Sequence, residues 1–200
     1  MANIEHVNIT DPNIHEPKGV AAASVGQVYV ADGSGSGDWS TYNWHGWADY
    51  ADGATGNQVF NQTAAKIQID SGTVVGTYLP LAIRGTGNLW NGTSDKITPI
   101  VLGDAYMVRL TLPFTAESGA PTLLTLKVDI SGTTAPSNVV NEIDIPFTKT
   151  PSFNHDVSFP IYITQTFMTN GGQLFLTCDA GTVTVNSPSI FITRLSAGNL

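Results

Sequence analysis

Bases are scarce in this chain: eight lysines and arginines stand against sixteen aspartates and glutamates, a formal net charge of −8. A protein that neutralises nucleic-acid phosphates needs a basic stripe, and none is present. The same sign argues against an anionic membrane surface. Charge of either sign is sparse, at 12% of residues, about half the usual share of a globular domain. Long exposed helices rely on Glu and Lys pairs, so this scarcity works against them. Cysteine is nearly absent as well. Cys178 stands alone, which excludes an intrachain disulfide and fits a reducing cytoplasm as the place of folding. Within "QLFLTCDA" it alternates with Leu174 and Leu176 and reads as a small core residue. No apolar run approaches the ~20 residues of a membrane span. "MANIEHVNIT" carries neither a basic region nor an apolar stretch, which predicts no secretory leader.

What is present is Thr, Ser, Asn and Gly, with a hydrophobic fraction of 42%, enough for a real core. A chain of 200 residues fits one domain, or one domain with an appendage. The acid is uneven: residues 1–70 hold eight acids and two bases, and residues 71–200 hold eight acids and six bases. Texture changes near residue 60. Beyond it, apolar residues recur with a period of two, the signature of a half-buried strand. "TLLTLKVDI" puts Leu124, Leu126, Val128 and Ile130 on one face, against Thr125, Lys127 and Asp129. "AYMVRLTLPF" sets Val108, Leu110 and Leu112 against Met107, Arg109 and Thr111. "NEIDIPF" sets Ile143, Ile145 and Phe147 against Glu142, Asp144 and Pro146. "VSFPIYITQTF" continues the alternation through Val157, Phe159, Ile161 and Ile163 to Phe167. "KITPIVL" is a strand broken by Pro99. "ESGAP", "SGTTAPSN", "TNGG", "DAGT" and "NSPS" mark the turns. No window of a dozen residues carries a helical stripe. About eight strands of this kind predict an all-β, antiparallel β-sandwich, with a jelly roll as the leading topology. The last strand, Ser189 to Leu195, is expected centrally, away from an edge.

Chemistry-bearing motifs are missing. There is no G-x-S-x-G elbow, HExxH pair or phosphate-cradling glycine loop; "GSGSGDW" and "RGTGNLWNG" are Gly-rich but lead into no helix. His45, with Asp49 and Asp52 nearby, matches no metal-ligand spacing, and "DGSGSGD" lacks the calcium-loop order. "NHDV" at His155 reads as a turn before a strand. Glu142 and Asp144 lie on the solvent face of their strand. The expectation is a chain that is not an enzyme and needs no metal or cofactor. One cluster stands out: Trp39, Tyr42, Trp44, Trp47 and Tyr50 fall within twelve residues. Such rings pack an interface, cap a domain, or stack on sugar faces.

The segment "IHEPKGVAAASVGQVYVADGSGSGDW" differs from the rest. It has a Pro-flanked polar start, a small-residue patch, a short alternating run and a Gly/Ser tract from Gly33 to Gly37. It resembles the N-terminal segment of tailed-bacteriophage structural proteins: head decoration proteins, head fibres and related tail-fibre proteins. There, an "IHEPKG" segment and a "VYVADG" segment precede a β-rich body. The resemblance covers about one-fifth of the chain. More loosely, the body resembles trimeric jelly rolls of the tumour-necrosis-factor type, through its strand pattern and the closing "SIFITRLS".

The resemblance implies three parts: residues 1–38 as an extended virion-anchoring arm, 39–60 as an aromatic-rich connector, and 61–200 as the jelly-roll β-sandwich. It implies a homotrimeric virion protein, made in the host cytoplasm, that binds the major capsid protein or another virion protein. Ile14, His15, Glu16, Pro17, Lys18, Gly19, Val28, Tyr29 and Val30 would make the contact, with "GQVYVA" adding a strand to a sheet edge and the Gly/Ser tract as a hinge. The alternative is a tail-fibre or receptor-binding module that holds carbohydrate on Trp39, Tyr42, Trp44, Trp47 and Tyr50.

Overall fold

The computed structural model describes residues 23–24, 27–31, 37–41, 46–53, 55–70, 73–78, 88–118, 121–147 and 152–196. The chain divides into two compact units, Met1–Asn43 and Trp44–Leu200.

The first unit holds one antiparallel hairpin, β1 (Gln27–Ala31) with β2 (Gly37–Thr41), paired from Gln27 opposite Thr41 to Ala31 opposite Gly37. Ser24 and Gln27 close the approach to β1 with two bonds, the Ser24 N–H to Gln27 Oε1 (2.7 Å) and the Gln27 N–H to the Ser24 carbonyl (3.1 Å). Gly37, the last residue of the tract read as a hinge, lies in β2, which pairs with β1 across the boundary placed at residue 38; residues 32–36 lie outside the described residues.

The second unit is a sandwich of two antiparallel sheets. Its strands are β3 (Gly46–Ala51), β4 (Asn57–Phe60), β5 (Ala65–Lys66), β6 (Thr73–Tyr78), β7 (Trp90–Asn91), β8 (Lys96–Ile97), β9 (Ala105–Ser118), β10 (Leu123–Asp129), β11 (Val139–Pro146), β12 (Phe153–Tyr162), β13 (Gln173–Cys178), β14 (Thr182–Asn186) and β15 (Ser189–Ser196). Among the described strands, β7 and β8 pair only with each other, as a two-stranded ribbon outside the two sandwich sheets. The smaller sandwich sheet runs β11-β10-β13-β5. In the larger, β12 lies on one edge of β9, while β15 and β14 share the other; β3 and β4 flank these in turn, and β6 flanks β3. β14 and β15 are one long strand broken at Ser187 (φ 45°) and Pro188, since Val185 faces Phe114 and Ser189 faces Thr111 on the same partner. β3 and β4 break at the same level, where the Asp52 N–H donates to the Pro188 carbonyl (2.9 Å). Asp52 also folds its own loop, its carboxylate accepting from the N–H groups of Thr55, Gly56 and Asp70.

Alternation builds the core as expected. Leu124, Leu126 and Val128 of β10 meet Val108, Leu110 and Leu112 of β9, with Leu174 and Leu176 of β13 and Ile190 and Ile192 of β15. Each such side chain contributes about 1.5–3 kcal/mol on burial. β15 is central, between β9 and β3.

Three readings are corrected. Residues 46–51 and 57–60, assigned to a connector, are strands of the larger sheet; there, Ala48, Tyr50, Gln58 and Phe60 are buried with a period of two that Gly and Asp neighbours disguise. The alternation toward Phe167 ends at Ile163. Thr164 caps a short helix, α1 (Gln165–Asn170), its hydroxyl accepting from the Phe167 N–H (3.4 Å), so Phe167 reaches the core from a helix. The turn after α1 needs two glycines. Gly171 has φ 77°, and a Cβ on Gly172 would lie 2.3 Å from the Phe167 ring. Finally, His155 sits inside β12, opposite Leu112, and not in a turn before it.

Candidate functional site

Of the arm residues, Ile14, His15, Glu16, Pro17, Lys18 and Gly19 lie outside the described residues. Val28 and Tyr29 lie on β1 and are 42% and 37% exposed. Val30 is in the same strand, opposite Asp38. Tyr29 meets Trp39 of β2 edge-to-face, with ring centroids 5.6 Å apart. Gln27–Ala31 of "GQVYVA" form strand β1, and β2 occupies one of its edges.

Within the second unit, the two described members of the aromatic cluster do not share a surface. Tyr42 and Trp44 lie outside the described residues. The pleat of β3 separates the next two: Tyr50 points into the core, and Trp47 points out, 38% exposed. The Tyr50 hydroxyl accepts the Leu89 N–H (3.1 Å), and burial raises its pKa above the ordinary phenol value. Trp90 is buried too, donating its indole N–H to the Ile69 carbonyl (2.9 Å). Trp47 stacks on Phe191 of β15 at 5.7 Å and 21°. The guanidinium of Arg109, directly opposite Phe191 on β9, lies 5.3 Å from the same ring. A Trp–Phe–Arg row therefore crosses the outer face of the larger sheet, held by stacking and a cation–π contact. Sequence reading named Trp47 and missed Phe191 and Arg109. Their signal is outward-facing placement in alternating strands, which becomes a row only once register is known. Also missed were Val139, Val140 and Tyr162, which are 38%, 49% and 65% exposed on the edge strands β11 and β12.

Most buried polar groups are paired within the fold; among the described residues, Ser94 Oγ, Thr98 Oγ1, Gln173 Oε1 and Arg194 Nε are buried with no hydrogen-bond partner. Asp104 and Arg194 form an ion pair at 2.5 Å, 0% and 2% exposed at the side chains. Asp104 also accepts from the Tyr106 hydroxyl (2.7 Å), whose pKa is raised by burial and by that neighbouring carboxylate. Cys178 is buried, and burial together with the nearby Asp179 charge raises its thiol pKa, which keeps it a poor nucleophile. Glu142 and Asp144 serve the surface of the smaller sheet, Glu142 facing Lys127 at 3.4 Å and Asp144 accepting from the Thr125 hydroxyl (2.9 Å). Among the described residues, no three His, Cys, Asp or Glu side chains gather as metal ligands. No helix among them is long and apolar enough to cross a membrane.

No protein-family model matches the sequence, and no curated protein matches it significantly. In fold it is similar to solved structures. The tumour-necrosis-factor protein Eiger of S. frugiperda aligns over 79% of this chain and 97% of its own, at 9% identity and a TM-score of 0.46. The vertex protein P5 of PRD1 aligns over 88% and 84%, at 12% identity and 0.47. The coat protein of Tobacco streak virus aligns over 77% and 90%, at 11% identity and 0.36.

Proposed function

We propose that this chain is a bacteriophage virion structural protein, a trimeric head decoration or head-fibre protein that docks on the capsid through its N-terminal unit. The observation that carries the reading is the chain's division. The "IHEPKG" and "VYVADG" segments that resemble phage virion proteins fall within Met1–Asn43, and the β-sandwich is a compact unit of its own from Trp44. A decoration protein needs these two parts, an anchor and a stable head. Exposed Val28 and Tyr29 on β1 offer a strand to a sheet edge; β2 already covers one edge, so addition uses the other. Three anchors on one trimer gain avidity from effective concentration. The sparse charge and the exposed Trp47, Val139, Val140 and Tyr162 favour contacts between chains. The protein resides in the virion, takes no part in catalysis, and has the major capsid protein or another virion protein as its partner.

The test is decoration. The informative truncation begins at Trp44, between the two units, because a cut at the 38/39 boundary would pass through β2. Full-length protein should bind capsids lacking it, while residues 44–200 should fold and trimerise but not bind. Light scattering should give three 21.2 kDa chains in full-length protein, a species of about 64 kDa. Equal binding by the truncated form would remove the anchor from the reading, and a monomer at micromolar concentration would remove the trimer. The second reading, a receptor-binding module, is favoured by the exposed Trp47–Phe191 stack. It requires that Trp47→Ala abolish binding to a host glycan.

A further inference from the structure

On the outer side of the smaller sheet lies a cleft of about 380 Å³ between β5, the 94–96 segment, the 131–132 loop, α1 and the start of β13. That volume falls in the range of small-ligand sites, about 300–1,000 Å³. No aromatic or aliphatic side chain lines it. Its walls are ammonium, hydroxyl and carboxamide groups from Lys66, Lys96, Ser94, Ser131, Thr169 and Gln173. Such walls suit a hydroxyl-rich ligand and not an apolar one.

Two lining groups have no visible reason to be buried. Gln173 is 8% exposed, and its Oε1 has no hydrogen-bond partner among the described residues; the Ser94 hydroxyl is likewise buried and unpartnered among them. A stable fold rarely leaves such atoms unsatisfied without a use for them. An amide oxygen needs a donor, which a sugar hydroxyl supplies and a bare anion does not.

Charge adds a second requirement. Lys66 is occupied by Asp95 (3.4 Å) and the Ser94 carbonyl (3.0 Å). Lys96 donates to the Asn170 carbonyl (3.0 Å) and forms no ion pair with a described carboxylate, which leaves a cation with donors to spare. Its position is built in: a Cβ on Gly171 would lie 2.8 Å from Lys96 Cδ and 2.7 Å from the Ile97 carbonyl oxygen. Among the described residues Lys96 is the lining cation without a carboxylate partner, and the carboxylate of Asp129 behind Ser131 is engaged by N–H groups of its own loop; a cation beside hydroxyl and amide partners fits a ligand with one carboxylate and several hydroxyls.

We infer that this cleft binds a carboxylated sugar of the hexuronic acid class. The inference stands independently of the virion reading, since it uses no residue of the N-terminal unit. Titration of the isotope-labelled full-length chain with D-glucuronate, D-glucose and acetate tests it by NMR. Glucuronate should shift the Gln173 side-chain amide and the Gly132 and Gly171 backbone amides, with glucose and acetate each weaker by about tenfold or more. Ser94→Ala should weaken glucuronate about tenfold while leaving the melting temperature unchanged or raised, because it removes a buried hydroxyl that no protein group uses. Lys96→Gln should erase the preference for glucuronate over glucose. Three results overturn the inference: no shifts at about 20 mM glucuronate, where a millimolar site would be nearly filled; acetate binding as well as glucuronate; or both variants binding like the parent.

Discussion

Two carboxylates, one beside the larger sheet and one in the smaller, are fully buried, and the protein satisfies them in opposite ways. Asp104, just before β9, is matched by a cation from the far end of the chain, Arg194, and by the Tyr106 hydroxyl. Asp129, at the end of β10, forms no ion pair with a described residue. It accepts from the N–H groups of Ser131 (3.0 Å), Ser137 (2.8 Å) and Asn138 (2.6 Å) and from the Ser131 hydroxyl. The first arrangement ties together strands 90 residues apart; the second closes a single loop. A charge balanced by a distant charge fails as a pair, since losing either partner strands the other. A charge balanced by local N–H groups fails by degrees, through protonation.

The largest effect expected from breaking this contrast is at Arg194. Arg194→Met leaves Asp104 buried without its cation and should cost about 3–5 kcal/mol, read by urea unfolding. Adding Asp104→Leu should recover most of the loss. A single variant that costs less than about 1 kcal/mol would mean the pair is solvated. Asp129→Asn comes next, at about 1–3 kcal/mol, because three backbone N–H groups and a hydroxyl then face a weaker acceptor and an amide donor. Its pH dependence separates it from the first. Burial pushes the Asp129 pKa up, but the bonds from Ser131, Asn138 and Ser137 outweigh that and hold it below the ordinary carboxyl value. Its stabilisation is therefore present above that ordinary value, about 3.9, and lost as pH falls through the folded pKa. The parent should lose more stability than Asp129→Asn over that acid range. Part of the slope should survive, because Asp179, bonded by Thr122, is lowered in the same direction.

Tyr106→Phe should cost about 1–2 kcal/mol, since it removes a donor to Asp104 and an acceptor for the Ile100 N–H. Because the phenol pKa is raised in the fold, its contribution is complete below the ordinary value of about 10 and lost as pH rises beyond it. The variant should flatten the alkaline limb, leaving the share due to Tyr50. The smallest effect is expected at the surface. Lys127 and Glu142 pair at 3.4 Å with side chains 30% and 54% exposed, so Lys127→Met should move stability by no more than about 0.5 kcal/mol. A larger loss would show that surface charge matters more here than the buried pair suggests.

Much of the body was legible from alternation. Leu124, Leu126 and Val128, or Val108, Leu110 and Leu112, announce their strand because a pleat sends every second side chain to the same face. The stretch around Trp47 and Tyr50 was harder. Its Gly, Asp and aromatic residues have turn-like composition, and only pairing with β15 makes a strand of it. α1 was hidden because Ile161, Ile163 and Phe167 also read as one continuing stripe. The cleft was invisible for another reason. Lys66, Lys96 and Gln173 come from three distant segments, and nothing in any one of them marks a site.

By itself, then, the sequence determined the period, the class of sandwich, the inward and outward set of each clear strand, and the burial of Cys178. These follow from local geometry, since a residue's face depends only on its neighbours along the strand. The tertiary structure decided which strands meet. It joined β14 to β15 along one edge of β9, set Arg109 opposite Phe191, and brought Arg194 to Asp104. Those outcomes depend on register and on chain segments far apart, where one extra residue moves every side chain to the other face.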